Sequence, residues 1–306
     1  MTLDSSLLLK AAEAAAGAQQ YPAGALYVVA TPIGNLADIT LRAIHVLSLV
    51  DAVACEDTRH SAQLMRHLGL DKPLLAVHEH NEREAAQAVL ARLARGERVA
   101  YVSDAGTPAV SDPGAVLVAA AQAAGFRCVP LPGASSALAA LSVAGDAVTG
   151  GFEFVGFLPA KGGERQRSLA AAATRAAAQV LFEAPHRIEA LAASLASACA
   201  ARPLTVCREL TKQFESVATM PADQLPAWLA ADANRVRGEF VLVLHGQAQA
   251  VDDAEAHATT TLQTLLAELP LKQAVSLAAS LTGQPRNVLY EQALRLKREG
   301  EGAGEV

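Results

Sequence analysis

From Ala25 to Gly145 the chain alternates between two hydrophobic rhythms. Short apolar runs, "ALYVVA", "AVAC", "LLAV", "VAYVS" and "RCVPL", have the length of buried strands. Between them, apolar residues recur every three or four positions in "ITLRAIHVLSLV", "RHSAQLMRHL", "NEREAAQAVLARLARG", the stretch from Pro113 to Gly125, and "GASSALAALSVAG". These predict helices, with Thr58 placed to cap the second and Gly96 to end the third. Such alternation predicts a mostly parallel sheet with helices on both faces.

The composition shifts at Gly150–Phe152. "FEFVGFLP" predicts a strand, and the Lys/Gly/Arg loop "AKGGERQR" follows. A helix is expected over Arg165–Arg175. Then come strand "QVLFEA", helix "HRIEALAASLASACA", strands "LTVCREL" and "FESVATM", helix "ADQLPAWLAA" and strand "EFVLVLHG". The first two strands after the helix are close enough for an antiparallel hairpin, so this second sheet is expected to be mixed. "QAQAVDDAEAHATTT" is polar, Ala-rich and acidic and reads as a linker. Beyond it "LQTLLAEL", "LKQAVSLAASLTG" and "RNVLYEQALRLKRE" predict short helices, the last two joined in helix-turn-helix proportions. The resulting division is a flexible or loosely helical extension (1–23), two α/β domains (24–150 and 151–247), a linker (248–260), a small helical domain (261–298) and a tail (299–306).

The 306 residues suffice for two domains with real cores, and a 52% hydrophobic content favours a folded chain. The net charge of −6 argues against nucleic-acid binding by bulk electrostatics, so any such contact must come from local basic patches. Cys55, Cys128, Cys199 and Cys207 lack C-x-x-C spacing and read as reduced thiols. No apolar run reaches the roughly 18 residues of a membrane span, and the first 20 residues do not resemble a signal peptide. A cytoplasmic protein is expected.

In open α/β sheets, ligands gather at the C-terminal ends of the strands. The loop "SDAGTPAVSDPG" is stiffened by prolines, relaxed by glycines, and carries two aspartates and no lysine. That excludes a P-loop and favours a neutral or positive ligand. "TPIGN" and "PGASS" are tight turns around Gly34 and Gly133. "ACEDTRHS" groups Glu56, Asp57, Arg59 and His60, which fits either a helix cap or a clamp. "HEHNE" offers His78, Glu79 and His80, but without a third ligand of clear spacing no metal site is expected. "FEAPHRI" supplies Glu183, His186 and Arg187, and "CRELTK" supplies Arg208, Glu209 and Lys212. Both end strands that look adjacent, which points to a shared cleft, although surface salt bridging is the simpler account of each alone. Lys161, Arg165 and Arg167 form a basic loop suited either to an RNA backbone or to solvent.

Seven motifs in order, "LYVVATPIGNLADITLRAIHVL", "CEDTRHSAQLM", "SDAGTPAVSDPG", "PLPGASSALAAL", "FVGFLPAKGGERQR", "LFEAPHRI" and "CRELTKQFE", resemble the ribosomal small subunit RNA methyltransferase I family, a branch of the tetrapyrrole methylase superfamily. The resemblance covers about Ala25 to Gly246, and the C-terminal helices look like that family's appended domain. It implies two α/β domains of tetrapyrrole methylase type with a cofactor cleft between them. It implies S-adenosylmethionine as cofactor, a cytidine 2′-hydroxyl in the decoding region of 16S ribosomal RNA as acceptor, the small ribosomal subunit or its RNA as partner, and a homodimer. Carried over by position, the cofactor residues are Pro32, Gly34, Asp104, Ala105, Gly106, Thr107, Val110, Ser111, Pro132, Gly133, Ser135, Ser136, Phe182, Cys207 and Phe240. The loop departs from the superfamily's more usual Gly-Asp-Pro form, since Ala105-Gly106-Thr107-Pro108 follows Asp104, and this favours the RNA branch.

Asp57, Glu183, His186 and Glu209 are candidates for the base, with Arg59, Arg187, Arg208 and Lys212 as electrostatic or phosphate-holding partners. Lys161, Arg165 and Arg167 are candidates for RNA contact. Two rival classes remain open at this level. One is a methylase of tetrapyrroles or other small molecules, to which the 4% aromatic content is ill suited. The other is a non-catalytic RNA-binding assembly protein.

Overall fold

The structure is a computed structural model that describes residues 5–78, 81–148, 151–159, 162–247 and 251–302. Glu79, His80 and Lys161, singled out above, lie outside the described residues. The chain divides into two compact units, an α/β body and a helical unit.

The body opens with α1 (Ser5–Ala16), β1 (Ala25–Val29), α2 (Leu41–Leu49), β2 (Ala52–Cys55), α3 (Thr58–His67), β3 (Leu74–Ala76), α4 (Glu82–Ala94), β4 (Val99–Val102), α5 (Gly114–Ala123), β5 (Arg127–Leu131) and α6 (Ser136–Ala144). The five strands form one sheet in the order β3-β2-β4-β1-β5, every pairing parallel. The central strands β1, β2 and β4 read as continuous apolar runs because helices cover both faces. Thr40 caps α2, its side-chain oxygen accepting from the Ala43 N–H. At α3 the cap is Asp57, not Thr58: Asp57 is extended and its carboxylate accepts from the Arg59 N–H at 2.8 Å, while Thr58 is already helical. An ionised carboxylate one residue earlier fills the same role with a stronger acceptor. The N-terminal extension is also more ordered than its composition predicts. α1 buries Ala12 and Ala16, with Leu8 and Leu9 packed on the first core.

The body continues with β6 (Phe152–Phe157), α7 (Gly162–Thr174), β7 (Ala178–Glu183), α8 (Ile188–Cys199), β8 (Pro203–Arg208), β9 (Ser216–Pro221), α9 (Leu225–Ala230) and β10 (Phe240–Leu244). The sheet order is β6-β7-β10-β8-β9. β6 and β7 are parallel, β10 runs against both β7 and β8, and β8–β9 is the expected hairpin. The ends of β7 and β8 are therefore not neighbours. β10 lies between them, and its first residue, Phe240, pairs with Glu183 on one side and Arg208 on the other. "LHG" ends β10 at the opposite edge, so it does not join the other two motifs.

The helical unit consists of α10 (Val251–Glu268), α11 (Leu271–Thr282) and α12 (Arg286–Gly302). Ala258, Leu262, Val275, Ala278, Leu289 and Ala293 form its core. Residues 251–260, expected as linker, are helical and prolong the first helix, because alanine offsets the polar residues in helix propensity. Likewise α12 runs to Gly302, into the expected tail. Gly283 turns the chain between α11 and α12 at φ +70°.

Candidate functional site

The C-terminal edge of the first sheet is built from three loops tied to one another. Thr31 and Gly106 exchange backbone hydrogen bonds of 2.9 and 3.0 Å. The Thr31 hydroxyl donates to the Ser103 carbonyl, and the Thr107 hydroxyl donates to the Ala134 carbonyl at 3.0 Å. "TPIGN", "SDAGTP" and "PGASS" thus form one rigid rim. Gly106 sits at φ +82°, a conformation costly for other residues, and a Cβ there would lie 3.3 Å from Ile33.

Asp112 organises the rest of the long loop. Its Oδ1 accepts from the Tyr101 hydroxyl and the Gly114 N–H, each at 2.8 Å, and its Oδ2 accepts from the Ala109 N–H at 2.8 Å. Ala109 is held at φ +64° by this arrangement. Burial and the Asp112 carboxylate together push the Tyr101 phenol far above its ordinary pKa, so it stays a donor. Of the loop's two aspartates, Asp112 is thus occupied by its own turn. Asp104 accepts from the Asp57 N–H at 3.0 Å through Oδ1, and its Oδ2 lies 3.9 Å from His60 Nδ1.

The second sheet contributes a fixed charge cluster. The Glu183 side chain is fully buried. Its Oε1 accepts from the Ala184 N–H and lies 2.9 Å from Arg187 Nε, while Oε2 lies 3.3 Å from an Arg165 nitrogen. The same arginines donate to the Leu158 and Pro159 carbonyls. Further along the edge, Glu209 Oε1 accepts from the Glu239 N–H and from Lys212 Nζ, both at 2.9 Å. Burial raises the Glu209 pKa, but these hydrogen bonds outweigh it and hold the carboxyl below its ordinary value. Glu209 and Thr211 both adopt positive φ, 53° and 68°. The Lys212 side chain crosses Gly34 so closely that a Cβ there would stand 2.5 Å from it. Arg208 braces the same hairpin through Ser216, Phe214 and Arg237.

Between these two edges lies a cavity of about 390 Å³, a size suited to a nucleoside-bearing ligand. Of the residues singled out from the sequence, it brings together Asp104, Ala105, Gly106, Thr107, Val110, Ser111, Ser135, Ser136, Phe182, Glu183 and Phe240. Cys207 borders a smaller void of about 70 Å³ that shares Ala105, Ser136, Glu239 and Val241 with the main cavity. Its thiol, buried and near Glu215, is pushed up to about 12 and is inert as a nucleophile. Pro32, Gly34, Pro132 and Gly133 do not line either space and shape the turns behind it. Asp57, Arg59, His186, Arg187, Glu209 and Lys212 also lie outside the lining. Asp57 grips Arg59 through both carboxylate oxygens, which holds its carboxyl well below the usual range. Arg165 turns inward to Glu183, whereas Arg167 is exposed.

The wall also contains residues that strand-end reasoning missed: Glu56, Ser103, Asp112, Ala137, Phe157, Ala184, Pro185, Glu239 and Val241. Glu239 and Val241 flank the start of β10, which an all-parallel reading places at the wrong edge. Its carboxylates are Glu56, Asp104, Asp112, Glu183 and Glu239, and among the described residues its lining contains no Lys, Arg or His. Phe157, Phe182 and Phe240 make part of it apolar, with Phe157 and Phe182 edge-on at 5.6 Å. Such a set suits a ligand with an apolar ring and a positive charge and disfavours a polyphosphate.

Residues 25–226 match the Tetrapyrrole (Corrin/Porphyrin) Methylases, and residues 251–297 match the RsmI C-terminal HTH domain. The Ribosomal RNA small subunit methyltransferase I of Pseudomonas aeruginosa is 49% identical, over 91% of this chain and 99% of that protein. Its counterpart in Escherichia coli O157:H7 is 45% identical, over 89% and 95%. In fold, the body is similar to the Uroporphyrin-III C-methyl transferase of Thermus thermophilus complexed with S-adenyl homocysteine. There the TM-score is 0.52 at 18% identity, covering 72% of this chain and 96% of that one. With a tetrapyrrole methylase body, a C-terminal helical domain and close relatives over nearly its whole length, the chain belongs to the ribosomal RNA small subunit methyltransferase I family.

Proposed function

We propose that this protein is an S-adenosylmethionine-dependent methyltransferase of 16S ribosomal RNA, and that the acceptor is the 2′-hydroxyl of a cytidine in the decoding region. The observation that carries the donor assignment is the acidic, partly aromatic cavity with no cationic side chain in its described lining. Bound there, S-adenosylmethionine supplies a methyl group on a cationic sulfonium already activated for in-line displacement. Phe157, Phe182 and Phe240 exclude water from the donor. Glu183, its charge fixed by two arginines, gives the cavity a permanent negative pole that favours a cation. The tied rim of Ser103–Thr107 and Ser135–Ser136 offers hydroxyls and main-chain groups without reorganisation.

The ribose hydroxyl needs a proton acceptor. Asp57, Glu183 and Glu209 are each gripped by Arg or Lys, so they serve better as fixed charges that position neighbours. Asp104 faces the cavity with Oδ2 towards His60, and we assign the proton to this pair. Exposed apolar side chains at Val110, Leu138 and Val143 support a homodimer, to be checked by sedimentation. Among the described residues no helix is long and apolar enough to cross a membrane; a cytoplasmic location is what an RNA substrate requires.

The test is mass spectrometry of small-subunit RNA from a strain lacking the protein. One 2′-O-methylcytidine is expected to vanish and to return when purified protein and S-adenosylmethionine are added to the extracted subunits. An unchanged methylation map defeats the RNA assignment, and transfer to a tetrapyrrole acceptor instead replaces it with the small-molecule reading.

A further inference from the structure

The helical unit carries a second concavity of about 410 Å³, bordered by Lys272, Val275, Arg286, Asn287, Tyr290 and Glu291. α11 supplies Lys272 and Val275, and the first turns of α12 supply the rest. Arg286 and Tyr290 are one helical turn apart, as are Asn287 and Glu291, so the four form two adjacent rows on α12. Among the described residues, the side chains of Lys272, Asn287, Tyr290 and Glu291 make no hydrogen bond or ion pair, and Arg286 donates to the Ser276 hydroxyl. Tyr290 is exposed. Helix packing does not require this combination: the unit's core is made by Ala258, Leu262, Val275, Ala278, Leu289 and Ala293 on the other faces.

Two cations, an exposed ring, a carboxamide and a carboxylate around one hollow match the parts of a single-stranded nucleotide. Lys and Arg take the phosphate, the ring takes the face of the base, and the amide and carboxylate take base-edge donors. A free inorganic anion fits poorly, because Glu291 opposes it. The net charge of −6 means that this local pair of cations, not bulk charge, must supply any attraction.

We propose that this hollow is a single-nucleotide contact for single-stranded ribosomal RNA, holding a phosphate on Lys272 and Arg286 and a base on Tyr290. The proposal rests on the RNA-methylating reading above and adds a substrate site apart from the donor cavity. It is tested with the full-length protein by filter binding to bare 16S ribosomal RNA and to small ribosomal subunits across a range of salt.

The double variant K272Q/R286Q is expected to weaken binding to bare RNA about tenfold. It should also flatten the dependence of log affinity on log salt by about 1.4, from roughly 0.7 per phosphate lost on a single strand. Tyr290→Ala is expected to weaken binding about fivefold with no change in salt slope, and Tyr290→Phe to restore it. Affinity for S-adenosylmethionine, measured by calorimetry, should stay at the wild-type value in all three, which also shows that the body is folded. Wild-type affinity and slope in the double variant overturn the proposal alone. Loss of affinity for assembled subunits without loss for bare RNA also overturns it, in favour of a ribosomal-protein contact. A wild-type protein that binds neither RNA sample overturns the proposal and the RNA reading together.

Discussion

In the first sheet all five strands run the same way, so every strand-to-helix loop leaves from one edge. In the second, β10 runs against β7 and β8, and the edge that faces the cavity holds two strand ends and one strand start. The two halves build their walls differently as a result. The first gives small residues on interlocked loops, braced by hydrogen bonds between neutral groups and by one aspartate, Asp112. The second gives charged side chains whose positions are set by ion pairs: Glu183 with Arg165 and Arg187, and Glu209 with Lys212. A rigid backbone rim suits a ligand's shape. A fixed, buried charge suits its sign.

The sharpest way to break this contrast is to remove the charge from the second half. Glu183→Ala leaves Arg165 and Arg187 facing one another without their shared partner. Loss of one member of a buried ion pair typically costs about 3–5 kcal/mol. Urea unfolding is expected to show a loss of that size, and calorimetry a loss of S-adenosylmethionine binding. Glu183→Gln, which keeps the shape and removes the charge, should recover part of the stability but not the affinity. Equal donor affinity in wild type and Glu183→Gln means that shape alone governs the cavity.

The corresponding change in the first half is steric. A Cβ at Gly114 would stand 2.0 Å from the Tyr101 ring, which is fully buried between strand and helix. Gly114→Ala must therefore displace either α5 or the ring that holds Asp112. A destabilisation of about 1–3 kcal/mol is expected, as for other overpacked sites, with the donor affinity falling because the loop moves. Tyr101→Phe is the milder version. It removes one hydrogen bond to Asp112 and leaves two, for an expected loss of about 1 kcal/mol in thermal unfolding. If Tyr101→Phe costs as much as Gly114→Ala, the hydrogen bond and not the packing is what fixes the loop.

The same contrast explains how far the site is legible in the sequence. For the first sheet, alternation of apolar runs with helical stretches implies a parallel sheet, and a parallel sheet implies one edge. Asp104 through Ser111 and Ser135–Ser136 follow from listing what comes after each strand. For the second sheet that procedure misplaces "LHG" and overlooks Glu239 and Val241, because strand direction depends on pairings that no local pattern encodes. Arginine is the other blind spot. Arg165 in "GGERQRS" looks like a solvated or RNA-facing charge, yet its partner is a glutamate 18 residues on, inside the body. Alanine is the third: residues 5–16 and 251–260 look weakly structured by polarity, but alanine favours helix and packs closely, as Ala12 and Ala16 do.

The smallest effect expected is a titration confined to the second half. Glu209 has a folded-state pKa below its unfolded value, because the Glu239 N–H and Lys212 stabilise the carboxylate more than burial disfavours it. A carboxyl depressed in this way adds stability that is complete above the unfolded pKa, near 4.5, and is lost as pH falls through the lower folded value. Glu209 also sits at positive φ beside Gly238, where a Cβ would stand 2.5 Å from the Glu209 side chain, so its conformation depends on these bonds. Glu209→Gln should therefore be less stable than wild type at neutral pH by about 1 kcal/mol, a value kept small by partial exposure. The difference should shrink towards zero below about pH 4, as the wild-type carboxyl protonates and loses the same advantage. Thermal unfolding of the two proteins from pH 7 to pH 3 measures it. In Tyr101→Phe, whose lost bond belongs to the neutral framework of the first half, the deficit should not follow the Glu209 titration. A Glu209→Gln deficit that stays constant with pH shows that the side chain holds its loop by packing, and the two halves of the cavity then differ less than their charges suggest.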